Sequence, residues 1–523
     1  MTDQAQSDDR SGGGWYSHYV LIVLMIVYIF NFIDRNILSI LAQDIKADLG
    51  ISDAEMGFLY GTVFAIFYSL FGIPFGRLAD TWIRRTLVAY AVAFWSTATV
   101  ISGFARNFTE LGFARIAVGV GEAGTGPCAY SLLADSFRPA RRATVIAILT
   151  SGVYIGAGLG IFIGGQVVER WNNAFPIGTA PYDLAGWQVA FFVIGLPGLL
   201  LALWVRSLRE PVRGAMDGVT SPPELHPFRD FGVELCAVMP GLTWLNLIRL
   251  NASTSMLVAN IAAMLGLGLA GWAMIAVLGN PAQWIALAVG FYATFSWGQS
   301  LQLRDPPTAA LILGSRSWVL FVSGIALFSF SMYGLAYFTA PFFIRYHDVP
   351  IGDLGFTLGG ITAAGGFIGV TITGALADYW RARDPRGRLF VVIIFSLLPI
   401  PFGLWMLYTE STTLAFWLNG VVVFCGAAWL GVGGSTVTDL VLPRMRGRAA
   451  AVYILSVTLL GLALGPFTVG LVSDLTGELR NGLIAALCGN VGAAVLVAIA
   501  ARYLIEDERT LIERARAAGE VVN

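Results

Sequence analysis

Gly76-Arg77-Leu78-Ala79-Asp80-Thr81-Trp82 and Gly374-Ala375-Leu376-Ala377-Asp378-Tyr379-Trp380 are the same phrase, G-x-L-A-D-x-W, written twice. Each copy closes an apolar segment and runs into arginines: Arg84 and Arg85 in one case, Arg381, Arg383, Arg386 and Arg388 in the other. A second pair follows in the same order. Asp135-x-x-x-Pro139 leads to Arg141 and Arg142, and Asp439-x-x-x-Pro443 leads to Arg444, Arg446 and Arg448. Two ordered motifs repeated in both halves imply a duplicated unit, and in an apolar chain duplication points to a secondary transporter.

Composition supports a membrane location. Of 523 residues, 56% are hydrophobic and 12% charged, against roughly 25% charged in ordinary globular domains. A net charge of −1 argues against a nucleic-acid partner. Arginine supplies nearly all the positive charge, Lys46 being the lone lysine. The four cysteines (Cys128, Cys236, Cys425, Cys488) form no C-x-x-C, and the three histidines (His18, His226, His347) lack metal-ligand spacing. We expect no metal, no cofactor, and no enzyme, since no nucleophile–base pair stands out. The first residues carry Asp3, Asp8, Asp9 and a glycine run, then enter a full-length span, so no cleaved leader is expected.

A bilayer core about 30 Å thick takes roughly 20 apolar residues per helix. On that rule spans fall near 19–41, 55–76, 86–105, 110–134, 143–167 and 186–206. A second set falls near 317–344, 353–376, 389–408, 412–438, 449–472 and 481–504. The motif copies lie 298 and 304 residues apart, whereas six spans with loops need about 200. About 100 residues are therefore inserted between the halves, with a surface helix near 228–250 and two apolar runs, 255–279 and 283–301, joined by Gly279-Asn280-Pro281. The expected organisation is an N-terminal tail 1–18, a six-helix bundle 19–207, a central insertion 208–316, a second bundle 317–504 and a tail 505–523. The fold class is all-α membrane protein: two pseudo-symmetric six-helix bundles plus about two central helices.

Arginines crowd the loops after spans two, four, six, eight and ten, while Asp44, Asp48, Asp183, Glu410, Asp474 and Glu478 mark the opposite side. The positive-inside rule then places both termini in the cytoplasm. A bacterial inner membrane is the expected location, with membrane lipids as neighbours and a monomer or weak dimer as the assembly.

These motifs resemble the major facilitator superfamily across the chain except its insertion. The two G-x-L-A-D-x-W loops look like its conserved cytoplasmic motif and its echo. Gly152, Gly156, Gly160, Gly164 and Gly165 in span five, with Gly461-x-x-x-Gly465-Pro466 in span eleven, look like its glycine-rich helices. Within the superfamily the chain resembles the spinster-type transporters. That likeness rests on Asn31-Phe32-Ile33-Asp34-Arg35, on Arg115-x-x-x-Gly119-Val120-Gly121-Glu122-Ala123 and on Leu208-Arg209-Glu210-Pro211-Val212-Arg213-Gly214. The resemblance implies alternating access, proton coupling in bacterial members, and cargo akin to lysophospholipid or sphingoid phosphate. The inserted hairpin departs from the twelve-helix pattern.

An ionisable group inside a span costs about 2.5–3.5 kcal/mol on insertion scales and so asks for a reason. Asp34, Arg35, Arg115 and Glu122 are such groups. Arg115 and Glu122 stand seven residues apart, two turns on one face. Glu122 or Asp34 would bind the coupling proton, and Arg115 or Arg35 would hold the charged carboxylate and release it to an anionic headgroup; a structural ion-pair network is the alternative. Arg35 could instead point outward. In the second half Phe330, Tyr333 and Tyr337 share one helical face, with Trp429 as a further aromatic, and would suit an apolar tail or ordinary packing. Asp80 with Arg84 or Arg85, Asp378, and the paired Asp135 and Asp439 read as a cytoplasmic gate. The C-terminal stretch Glu506–Ala518 reads as a solvated helix.

The function expected is proton-coupled transport of a small amphipathic anion, with lysolipid or sphingoid-like cargo first. A water-soluble organic or sugar acid is the rival cargo. A non-transporting membrane sensor or scaffold is the rival class.

Overall fold

The computed structural model describes residues 14–176, 179–214, 216 and 226–520. The tail aspartates Asp3, Asp8 and Asp9 lie outside these residues, as do Pro222 and Pro223. The described chain is helical. Six long helices come first: α1 (Trp15–Leu49), α2 (Asp53–Thr81), α3 (Arg84–Ser102), α4 (Phe108–Glu122 continued by Thr125–Ser136), α5 (Pro139–Ala174) and α6 (Gly186–Arg206). The insertion forms α7 (Pro227–Val238), α8 (Thr243–Arg249), α9 (Thr254–Leu278), α10 (Pro281–Arg304) and α11 (Pro306–Leu313). The second set is α12 (Arg316–His347), α13 (Ile351–Arg381), α14 (Gly387–Tyr408), α15 (Thr412–Asp439), α16 (Pro443–Thr476) and α17 (Leu479–Arg509), with α18 (Leu511–Ala517) after it.

Eleven of these helices are long and apolar enough to cross a membrane by length and composition. α3, α4 and α10 fall outside that set. α4 is broken after Glu122, and α10 carries the buried polar residues Gln283, Tyr292, Ser296, Gln299 and Ser300. α7 and α8 meet at a 110° bend, so 228–250 is two short helices rather than one. α7 is pinned beneath the end of α2 by Arg77–Asp230 at 2.6 Å and by ring contacts of Phe231 with Phe75 and Phe228 with Trp82.

The chain divides into two compact units, and the division does not follow the repeat. One unit joins the chain up to Ile45 with Phe71–Leu235 and Ile351–Ala363; the other joins Lys46–Leu70 with Cys236–Pro350 and the rest from Ala364. Each half thus lends one helix end to the other's unit. Small residues make both loans possible. A side chain at Gly158 on α5 would collide with the Gly359 carbonyl on α13, and one at Gly61 on α2 with the Leu462 carbonyl on α16. In the second unit the start of α2 is also tied by charge. Asp53 receives Lys46 Nζ at 2.7 Å, Arg345 Nη1 at 2.6 Å and Ser473 Oγ at 2.7 Å. Asp474 caps α2 through the backbone N–H groups of Asp53 and Ala54 at 3.0 and 2.8 Å.

Two boundaries differ from expectation. α1 begins at Trp15, inside the expected tail; the Tyr19 hydroxyl oxygen accepts from Trp204 Nε1 on α6, and the Tyr16 hydroxyl oxygen accepts from the Arg209 backbone N–H just after it. The C-terminal stretch is also more than a solvated helix. Asp507 accepts from Ser315 Oγ and Ser317 N, each at 2.8 Å, capping α12, and Ala515 is fully buried.

Candidate functional site: an intramembrane charge cluster

The four intramembrane charges meet in the first unit. Asp34 and Arg35 are neighbours on α1; Arg115 and Glu122 are two turns apart on α4. Two turns amount to roughly 10 Å of rise. Consecutive residues of α1 therefore reach different levels of α4 and pair separately. Arg115 Nη1 donates to Asp34 Oδ1 at 3.1 Å, and Arg35 Nε donates to Glu122 Oε2 at 2.6 Å. Arg35 does not point outward; its guanidinium also lies 4.9 Å from the Phe32 ring. Asp34, Arg115 and Glu122 are each about 1% exposed, while the Arg35 side chain keeps 14%.

The two carboxylates are not equivalent. Both oxygens of Asp34 are satisfied, because Thr99 on α3 donates to Oδ2. Glu122 Oε1 is buried and has no hydrogen-bond partner among the described residues. Hydrogen bonds to both oxygens favour the charged form of a buried carboxylate more than hydrogen bonds to one oxygen do. Thr99 was missed in the sequence because threonine in an apolar helix usually bonds its own backbone. It does so here as well, to Trp95 O at 3.0 Å.

The aromatic residues of α12 belong to the second unit and divide by environment. Tyr333 and Trp429 pair at 5.7 Å between ring centres, and Tyr453 O–H donates to the Trp429 carbonyl at 3.3 Å. Tyr337 is fully buried between Tyr60 at 4.2 Å and Phe338 at 4.9 Å. Phe330 lies against Gly465 and Gly489, where the glycines draw α16 and α17 close to α12. Tyr337 is therefore a packing residue, while Phe330, Tyr333 and Trp429 are each partly exposed.

The arginine motifs form two clusters. In the first, Arg84 pairs with Asp135 and with Glu210 Oε1 at 2.8 Å, and bonds Ser131 Oγ at 2.8 Å and the Pro211 carbonyl at 3.0 Å. Arg85 places its backbone N–H on Glu210 Oε2 at 3.0 Å. Asp80 was expected to pair with Arg84 or Arg85, and the structure differs. Its side chain is exposed, and its backbone carbonyl, with those of Ala79 and Trp82, is held by Arg213. Those carbonyls end α2, where a cation is favoured. In the second cluster Arg388 bridges Asp378 at 2.8 Å and Asp439 at 2.6 Å, while Arg381 reaches Glu508 at 3.0 Å.

A family model described as Major Facilitator Superfamily matches residues 24–466. The chain belongs to that superfamily. An MFS-type efflux pump of Mycolicibacterium smegmatis is 26% identical over 502 residues, covering 94% of each chain. Protein spinster homolog 1 of Xenopus laevis is 25% identical over 476 residues, 88% of this chain and 74% of its own. The solved structure of a bacterial homolog to the human lysosomal transporter Spinster, inward-facing and unoccupied, gives a TM-score of 0.64. It is 25% identical and covers 96% of this chain and 99% of that one. The protein is thus a multi-pass, spinster-like member of a transporter superfamily.

Proposed function

We propose that this protein is a proton-coupled secondary transporter of a small amphipathic anion, with both termini in the cytoplasm of a bacterial inner membrane. The observation that carries the reading is the bare Oε1 of Glu122 beside the doubly held Asp34. Glu122 is the proton carrier in this account. When it is protonated, its ion pair with Arg35 is lost and Arg35 becomes a docking point for the anionic headgroup; when cargo leaves, Glu122 gives up its proton and re-forms the pair. Asp34, Arg115 and Thr99 keep α1, α3 and α4 in register through the cycle. The resemblance to spinster-type transporters implies lysolipid or sphingoid-like cargo, and an arginine on a partly accessible site suits any anionic headgroup.

Proteoliposome uptake of a labelled lysophospholipid, with and without an imposed pH gradient, tests the reading. Glu122→Gln should abolish gradient-driven accumulation yet leave part of the cargo exchange. Unchanged pH dependence in that variant would remove Glu122 from coupling. Failure of wild-type protein to move lysolipid would shift the cargo to soluble organic or sugar acids, and failure on both would favour a sensor.

A further inference from the structure

The inserted pair α9–α10 is unequal. Only 6% of the apolar window of α9 is buried, so most of its surface lies outside the protein core. α10 is gripped on one face by polar groups. Asn260 on α9 donates to Ser296 Oγ at 3.0 Å and Gln299 Oε1 at 2.7 Å, and accepts from Tyr292 O–H at 2.8 Å. Asn246 on α8 adds a bond to Ser300 Oγ at 3.1 Å. Hydrogen bonds of this kind hold helices together in lipid.

Another face of α10 lies on two helices at once. A Cβ at Gly290 would come 3.3 Å from Ile66 of α2 and 3.2 Å from Leu459 of α16. Both helices are locally π-helical there or just before, over Phe58–Thr62 and Val457–Leu462. The two π stretches meet, with Thr62 Oγ1 donating to the Ala463 carbonyl at 2.6 Å. Such stretches weaken helical hydrogen bonding and recur at functional sites.

The attachments of α10 to these helices differ in kind. It is fixed to α16 at three levels. Trp284 stands edge-on to Phe467 at 5.5 Å, Gly290 rests on Leu459, and Asp305 at its end pairs with Arg444 at 3.0 Å and with Arg448. Against α2, α10 packs along Phe58–Thr62 and sets Gly290 on Ile66, an apolar contact. Ion pairs and a locked ring resist sliding, whereas a smooth glycine-on-aliphatic contact permits shear.

We propose that the inserted hairpin is a lateral guard that travels with α16 and slides off α2 whenever the α2–α16 seam opens. A long-chain amphiphile in the bilayer reaches this seam only in that state. The inference rests on the transporter reading only in requiring that the seam move.

Two cysteine pairs test it in the full chain, with its four native cysteines replaced, in vesicles of phosphatidylethanolamine and phosphatidylglycerol. Gly290→Cys with Ile66→Cys ties the hairpin to α2; Gly290→Cys with Leu459→Cys ties it to α16. Each pair is joined by a short thiol cross-linker, and amide exchange over Phe58–Thr62 is followed before and after adding reductant. The α2 tie should slow exchange about tenfold, reversibly, and the α16 tie should leave it within about twofold. Equal slowing by both ties, by neither, or by the α16 tie alone would overturn the proposal. A second measurement avoids substitution at Gly290. Trp284→Ala with Asp305→Asn should raise labelling of Leu459→Cys by a bilayer-partitioning maleimide about fivefold or more, as uncovering a buried thiol requires; no rise would equally sink the guard. Lysophospholipid that fails to move in wild type while the exchange pattern holds rejects the cargo and keeps the guard.

Discussion

The two arginine clusters are one sequence idea realised at two depths. Arg84 is fully buried and meets Asp135 and Glu210, which are 9% and 23% exposed. Its counterpart Arg388 is 14% exposed and meets Asp439 and Asp378, which are 33% and 70% exposed. Glu210 and Glu508 stand 298 residues apart, the same offset as the G-x-L-A-D-x-W copies. One arginine side chain serves both acids in the first copy; in the second Arg381 meets both Asp439 and Glu508, and Arg388 adds a second hold on Asp439. Repetition preserved the charge pattern and not the energetics. A buried pair leaves an uncompensated charge when one partner is removed, while an exposed pair is replaced by water and salt.

The largest expected effect follows from that contrast. Arg84→Ala should cost about 3–5 kcal/mol of stability, as for other broken buried pairs, seen as lost monodisperse protein or a sharply lowered melting temperature in detergent. A melting temperature equal to wild type would show that the cluster is wetter than its burial implies. Arg388→Ala should cost only about 0–1 kcal/mol, in line with exposed pairs, with the loss shrinking further in high salt. If the two variants melt together, depth is not what separates the copies. Smallest of all, Asp80→Asn should leave stability unchanged within about 0.5 kcal/mol, because its exposed carboxylate meets Arg213, Arg77 and Arg84 only as solvent-screened charge and the hydrogen bond comes to its backbone carbonyl. A larger loss would restore its side chain to the gate.

A second contrast runs within the charge cluster. Asp34 and Glu122 are both buried carboxylates beside arginine, and the sequence made them look alike. Spacing showed that Arg115 and Glu122 share a face of α4, and the intramembrane position of all four charges was itself a signal. Which arginine takes which acid was not readable. That depended on the rotation of α1 against α4 and on Thr99 arriving from α3, a residue whose type carries no functional mark. The aromatic face of α12 shows the same limit from the other side. Its periodicity was correct, but periodicity says only that residues share a face. Tyr60 on α2 decided that Tyr337 is packed, while Phe330, lying against glycines of α16 and α17, stays partly exposed.

The insertion was legible as a length anomaly and as two apolar runs with a tight connection. Its polar seam was visible residue by residue in Asn260, Tyr292, Ser296 and Gln299, yet nothing in their order names a partner. The sequence singles out nothing at Asp305, and the arginines it meets lie at the start of α16, 139 and 143 positions away in the chain.

The sequence alone determined a membrane location, the duplication, the superfamily, and the set of charges that membrane burial makes expensive. These are properties of composition, spacing and local period, which every residue carries with it. Tertiary structure decided which carboxylate keeps a bare oxygen, which copy of the arginine motif is buried, and which helices the inserted pair rests on. Those outcomes depend on contacts between residues far apart in the chain, and such contacts exist only once the helices have chosen their rotations and neighbours.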